Sequence, residues 1–391
     1  VRSSGTPVAA ERHREGGAQL MLDRGLTIVW IRGIPVRLHP SLLLFLPYVA
    51  FVATRQVGYV ASALDIPREG FHLPPVVWGV ILALGLFVAV LAHELCHSLV
   101  AIRYGARVRS ITLMMLGGVS LIEGDLPPGR EAWMAFAGPL GSLGIAALSW
   151  AVYRFVPLPP EVLAAVFAFA TTNAVLGVFN LLPAFPMDGG RVVRGLLSRW
   201  TGPERATVIA ARLGKVMAVA FAIYAAISFD LILLLIAWFV YSGARAEEAR
   251  LALRHALEGV PVRDLMSERL GEAGAEEPVR DVLVRLLHGG LLGARVWGSN
   301  GAPGPHLVGV VTTDGLEGTA ARGGAGHPVT TAMPDHFPEA HPWDEAVSAL
   351  QPLSNGEAQA VVVVDAAHDV VGLVTTNELE RAAALGKLLR T

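Results

Sequence analysis

Residues 76–97 read Val-Val-Trp-Gly-Val-Ile-Leu-Ala-Leu-Gly-Leu-Phe-Val-Ala-Val-Leu-Ala-His-Glu-Leu-Cys-His, an uncharged run that ends on His93, Glu94 and His97. A helix needs about 20 apolar residues to cross about 30 Å of hydrocarbon, and this run, continued to Ile102, reaches that length. Positions i and i+4 share one helix face, so both imidazoles can approach a single metal ion while Glu94 lies near its open position as a general base. Ionisable groups inside a bilayer cost about 2.5–3.5 kcal/mol each on insertion scales. Three of them together call for a compensating partner, and a metal supplies one. Bound Zn²⁺ lowers the pKa of its water from about 15.7 to about 7, the activation that peptide hydrolysis requires.

A catalytic zinc takes three protein donors and keeps one position open. The best third donor is Asp188, in Asn180-Leu-Leu-Pro-Ala-Phe-Pro-Met-Asp-Gly-Gly-Arg191. There Pro183 and Pro186 break an apolar run, and Gly189 and Gly190 let the backbone turn. A helix cap at the membrane surface is the alternative role for Asp188. Cys96 lies between the two histidines without ligand spacing and reads as a small packed side chain.

Of the 391 residues, 53% are apolar and only 16% charged, too poor in charge for an ordinary soluble enzyme. The expected fold is a polytopic α-helical membrane protein of about six spans, over 38–52, 76–102, 132–153, 162–187, 216–229 and 231–244. The last two are separated by Asp230 and read as a tight hairpin, with one kinked helix as the alternative. Arginines before the first span, after the second, between the fourth and fifth and after the sixth put both termini in the cytoplasm. Val108 to Ile122 alternates around Gly117 and Gly118 and predicts a strand or hairpin at the membrane edge. A net charge of −2 gives no surplus for phosphate neutralisation, which excludes nucleic acid as a partner. One cysteine allows no internal disulfide.

After Ala244 the composition shifts to a charged linker and then a repeat. Val262-Arg-Asp-Leu-Met266 recurs as Val329-Thr-Thr-Ala-Met333, and Leu307-Val-Gly-Val-Val-Thr-Thr313 as Val370-Val-Gly-Leu-Val-Thr-Thr376. This resembles a tandem pair of CBS domains, α/β modules that often sense adenosine-containing ligands. The organisation read from the chain is an N-terminal tail (1–27), an intramembrane domain (28–244), a linker helix (245–260) and two CBS domains (261–322 and 323–391).

Taken with His93–His97 and 180–191, Phe136-Ala-Gly-Pro-Leu-Gly-Ser142 and Gly33-Ile-Pro-Val-Arg-Leu-His-Pro40 resemble the motifs of the site-2 protease family of intramembrane metalloproteases, in the branch with a C-terminal CBS pair. The resemblance covers essentially all of residues 30–390. It implies one zinc per chain on His93, His97 and Asp188, with Glu94 catalytic. It also suggests that Asn173 and Asn180, seven residues apart on one helix face, hold an extended substrate backbone or polarise the scissile carbonyl; interhelical hydrogen bonding is the alternative. Position 142 is serine where the family often has asparagine, so no side-chain role is carried over to it.

The implied partners are a single-span membrane-protein substrate, the lipid bilayer of the plasma membrane, an adenine nucleotide at the CBS pair and a second copy of the chain. Nucleotide-binding CBS modules usually place an aspartate three residues after the threonines matching Thr312 and Thr375, where this chain has Gly315 and Glu378, so a structural pair is the other possibility. Two rival functions are a CBS-regulated transporter or channel and a non-proteolytic scaffold. Neither accounts for the two metal motifs together with Glu94.

Overall fold

The computed structural model describes residues 25–63, 72–115, 117–123, 126–298, 306–334, 337–354, 358–379 and 381. Most of the expected N-terminal tail, residues 1–24, lies outside them. The chain divides into two compact units, Val1–Ala249 and Arg250–Thr391.

The first unit opens with a hairpin of β1 (Leu26–Ile31) and β2 (Ile34–Leu38), turned by Arg32 and Gly33 at φ of 51° and 83°. Positive φ at both central residues matches the right-handed strand twist and makes a two-residue turn possible. Helix α1 (Pro40–Ala63) and helix α2 (Pro75–Arg103) follow, then strands β3 (Arg107–Met114) and β4 (Gly117–Glu123). The four strands form one sheet in the order β1-β2-β3-β4, parallel between β2 and β3 and antiparallel elsewhere. The β3–β4 hairpin falls where the alternation of 108–122 predicts it, whereas β1–β2 carried no reading as strands.

Ile34, Val36, Ile111 and Leu113 are buried on one sheet face against Leu42 of α1 and Phe87, Val90, Leu91 and Leu95 of α2. At about 1.5–3 kcal/mol for each fully buried branched side chain, this contact fastens the sheet along α2 as far as the histidine pair.

Helices α3 (Pro128–Phe155), α4 (Pro160–Asn180), α5 (Asp188–Thr201), α6 (Pro203–Ser228) and α7 (Leu231–Leu257) complete the unit. Proline stands first in α2, α3, α4 and α6, where its preset φ suits the first turn and its missing N–H leaves nothing unsatisfied.

Four helices among the described residues, α2, α3, α4 and α6, are each long and apolar enough to cross a membrane, and they match four of the about six expected spans. The apolar stretch of α1 is shorter, Pro40–Arg55. In α7 the apolar stretch stops at Ala244, because Arg245, Glu247 and Glu248 follow. The fourth span is also shorter than 162–187: α4 ends at Asn180, and residues 181–187 form turns with a cis Phe185–Pro186 bond. Pro183 and Pro186 cannot donate to a helix ladder, so the chain turns and starts again at Asp188.

The hairpin reading of the last two expected spans holds. Phe229 takes a left-handed conformation after α6, and Asp230 Oδ1 accepts the N–H groups of Ile232 and Leu233, both at 3.0 Å, to start α7. Ala218 of α6 and Val240 of α7 share a buried cluster with Ala184 and Met187. Phe185 is buried with Ala210, Ala211 and Ala244. Arg194 of α5 pairs with Glu131 of α3 and, at 2.8 Å, with Glu247 of α7.

The second unit holds two three-stranded sheets of one topology. β5 (Gly271–Gly274) runs parallel to β6 (Gly293–Gly298), which pairs antiparallel with β7 (His306–Thr312). Helix α8 (Val279–Gly289) links β5 to β6, and α9 (Thr313–Thr319) follows β7. In the second repeat β8 (Glu339–Ala340), α10 (Ala346–Ser354), β9 (Ala360–Val364) and β10 (Val370–Thr375) reproduce the pattern. This is the α/β architecture that the resemblance to a CBS pair implies.

The leading segments of the repeats are short 3₁₀ turns, Val262–Asp264 and Val329–Ala332, rather than strands. They are also exchanged: Val262 is buried with Ala346, Leu353 and Val363 of the second repeat, while Val329 is buried with Ala273, Val282 and Val296 of the first.

Candidate metal centre

His93 and His97 sit one turn apart on α2, with ring centroids 4.8 Å apart. Asp188, first residue of α5, reaches both: its Oδ2 lies 3.1 Å from His93 Nε2 and 3.0 Å from His97 Nε2. The three donor atoms lie within 4.8 Å of one another, and both histidines are buried, with 4% and 7% of their surface exposed. Two imidazole nitrogens and a carboxylate oxygen are the donor set of a catalytic zinc with one position left open.

The far side of each ring explains why both Nε2 atoms face Asp188. His97 Nδ1 donates to the Met134 carbonyl at 2.7 Å, and a carbonyl can only accept. His93 Nδ1 lies 2.9 Å from Ser142 Oγ, which is fully buried. Outer partners of this kind fix the tautomer and the plane of a metal-binding imidazole.

Met134, Gly138 and Ser142 are spaced by four on α3 and form one stripe under the two rings. At the middle of the stripe a Cβ on Gly138 would lie 2.2 Å from His97 Nε2 and 2.8 Å from His93 Nε2, so only glycine leaves room for the donors. The residues present therefore fit a zinc ion. Position 142, to which no side-chain role was carried over, does make a side-chain contact in the centre, since its serine hydroxyl reaches His93 Nδ1.

Glu94 is buried, 8% exposed, and its Oε2 accepts the Ser120 hydroxyl of β4 at 2.7 Å. Ser120 Oγ lies 3.2 Å from Ser98 Oγ. Neither serine had a motif to announce it, because their contact joins a strand to a helix 22 residues away. Cys96 fits against Gly141 of α3, as its packed reading expects. Asn173 and Asn180 each donate Nδ2 to a carbonyl of their own helix, Phe169 and Leu176, at 2.9 Å. Asn173 is fully buried and its Oδ1 has no partner among the described residues.

Residues 81–159 and 157–221, which carry this centre, match the family model described as peptidase family M50. A zinc metalloprotease of Methanocaldococcus jannaschii is 34% identical over 63% of this chain and 67% of its own length. The protein named as zinc metalloprotease Rip3 in Mycobacterium tuberculosis is 32% identical over 90% of this chain and 91% of its own. The chain belongs to peptidase family M50. It is an intramembrane zinc metalloprotease, and the transporter and scaffold readings fall away. The solved site-2 protease of Methanocaldococcus jannaschii is 34% identical, aligning over 57% of this chain and 94% of that one with a TM-score of 0.41.

Proposed function

We propose that His93, His97 and Asp188 are the zinc ligands of this M50 protease and that Glu94 is its proton carrier, acting on a peptide bond in or near the span of a single-span membrane protein. The convergence of two histidine Nε2 atoms on one Asp188 oxygen, at 3.0 and 3.1 Å, is the observation that carries the assignment. When bound, zinc supplies Lewis-acid polarisation of a carbonyl and acidifies a water.

The protein's own groups do the rest. The Met134 carbonyl holds His97 in the tautomer protonated on Nδ1, and Ser142 orients the His93 ring so that its Nε2 faces Asp188. Glu94 Oε1 accepts no hydrogen bond among the described residues, so it is the oxygen free to take the proton of the attacking water and return it to the leaving amine. Asn173 and Asn180 are the candidate backbone holders.

The arginine distribution supports cytoplasmic termini in a plasma-membrane protein, which puts cleavage nearer the cytoplasmic leaflet. In the C-terminal pair, Thr312 Oγ1 accepts the Gly315 N–H at 3.1 Å, while Glu378 is engaged by the N–H and hydroxyl of Thr375. With Gly315 in one repeat and an occupied Glu378 in the other, the pair supports a structural or dimerising role better than ribose binding.

The test is turnover of a single-span substrate by wild-type and Glu94→Gln proteins at matched zinc content. Loss of about 10²- to 10⁴-fold in rate is expected. A variant that cleaves within about tenfold of wild type removes Glu94 from the proton path.

A further inference from the structure

Glu94 has three rotatable side-chain bonds, and a carboxylate that swings freely spends little time in line with its proton. The structure shows what stops it swinging. Gly118 and Ser120 lie on one face of β4, two residues apart. A Cβ on Gly118 would lie 2.3 Å from Glu94 Cγ, 2.8 Å from Cδ and 2.9 Å from Oε1, so the strand backbone is laid directly along the side chain. Ser120 then donates to Oε2 at 2.7 Å, and Ser98, one helical turn beyond Glu94 and fully buried, meets Ser120 at 3.2 Å.

The direction of the two bonds follows from donor chemistry. An ionised carboxylate only accepts, so the Ser120 proton is committed to Oε2, and the Ser98 hydroxyl must donate to Ser120 Oγ. We propose that Ser98 and Ser120 are positioning residues, a two-hydroxyl relay that pins Oε2 of Glu94 and leaves Oε1 as the oxygen that handles the proton. The inference rests on the reading of Glu94 as the proton carrier. Neither serine has a side-chain hydrogen bond to His93, His97 or Asp188 among the described residues; both act through Glu94. A hydrogen bond to a charged group, or a misplacement of about 1 Å at a reacting group, corresponds to about 10- to 100-fold in rate.

The experiment compares Ser120→Ala, Ser120→Cys, Ser120→Thr, Ser98→Ala and the Ser98→Ala/Ser120→Ala double variant at matched zinc content, with Glu94→Gln as reference. Cysteine keeps the size and offers only a weak donor, and threonine keeps the hydroxyl. Ser120→Ala and Ser120→Cys should lose about 10- to 100-fold in kcat with KM and zinc content unmoved, and Ser120→Thr should recover most of it. The double variant should be no worse than Ser120→Ala, as a relay requires. If the alanine protein does not fold, the cysteine and threonine pair carries the comparison.

A second readout uses chelated, inactive protein. The infrared difference between Ser120→Cys and wild type should show a shifted carboxylate stretch that vanishes when both are compared in a Glu94→Gln background. Wild-type kcat in Ser120→Cys alongside a dead Glu94→Gln protein overturns the relay, as does the absence of that band. An active Glu94→Gln protein would instead remove the catalytic reading, and the infrared band would still decide whether the hydroxyl holds the carboxylate.

Discussion

Replacing Gly138 by alanine adds one methyl group at the centre of the stripe under the two candidate histidine ligands. That Cβ would lie 2.2 Å from His97 Nε2 and 2.8 Å from His93 Nε2. Ordinary contact needs about 3.5 Å, so the first nitrogen must retreat by about 1.3 Å and the second by about 0.7 Å. The His97 ring cannot swing away cheaply, because its Nδ1 is bonded at 2.7 Å to the carbonyl of Met134, which lies four residues before Gly138 on α3. Zinc sites tolerate donor displacements of only about 0.2 Å. The helix itself gains, since alanine is a better helix former than glycine by about 0.8–1.0 kcal/mol. Gly138→Ala should therefore remain folded and lose its metal. Zinc content by mass spectrometry, with circular dichroism and a melting curve on the same sample, makes the check. An expected fall in zinc affinity exceeds the about 10- to 100-fold typical of losing an outer partner. A folded variant holding full zinc would refute the packing argument.

Three other outcomes follow from the same geometry. Ser142→Ala should weaken zinc binding by about 10- to 100-fold while Ser142→Asn does less harm, measured by competition with a chelator; equal affinities in all three would dismiss the His93–Ser142 contact. Asp188→Ala should release zinc, since two nitrogen donors remain, and full retention in metal analysis would remove Asp188 from the ligand set. In the C-terminal unit, burial works to raise the pKa of Glu277, but the Arg285 guanidinium at 2.6 Å and the Gly274 N–H outweigh it and hold the carboxyl below the ordinary range. Its contribution is present above the unfolded glutamate pKa and is lost as pH falls through the lowered folded value. Hydrogen-exchange protection across β5 and α8 in the full chain, taken relative to the intrinsic rate at each pH, should thus fall below about pH 4, and Glu277→Gln should flatten that dependence; an unchanged protection profile in acid would discard the pair.

The metal-facing chemistry was legible because it is local. His93 and His97 are bound by helical spacing, and the two prolines before Asp188 announce a break at a depth where free backbone must face a cavity. The hairpin at Asp230 was legible for the same reason. What stayed hidden depends on contacts between distant segments. The β1–β2 hairpin is visible only once β2 is seen pairing with β3, because Leu26–Ile31 is too uniformly apolar to show alternation. The helix bounds differ from the expected spans because counting apolar residues does not see where a helix begins. α6 starts at Pro203, well before its apolar part, and α7 runs on through Arg245 into charged residues. Ser120 carries no signal, and Ser142 only its place at the end of the Phe136–Ser142 motif, until β4 and α3 are laid against α2.

The exchange of leading segments in the C-terminal unit has a consequence for modularity. Val262 and Val329 have no exposed surface, and each fills the interior of the repeat to which it does not belong in sequence. Cutting the chain between the repeats, at 322, would leave the first half without Val329 and the second without Val262, each cut opening a cavity where a valine stood. Losses of that kind cost about 2–5 kcal/mol for larger aliphatic truncations, a sizeable part of a small domain's stability. The two repeats are interlocked like clasped hands, so neither interior is complete without a segment of the other.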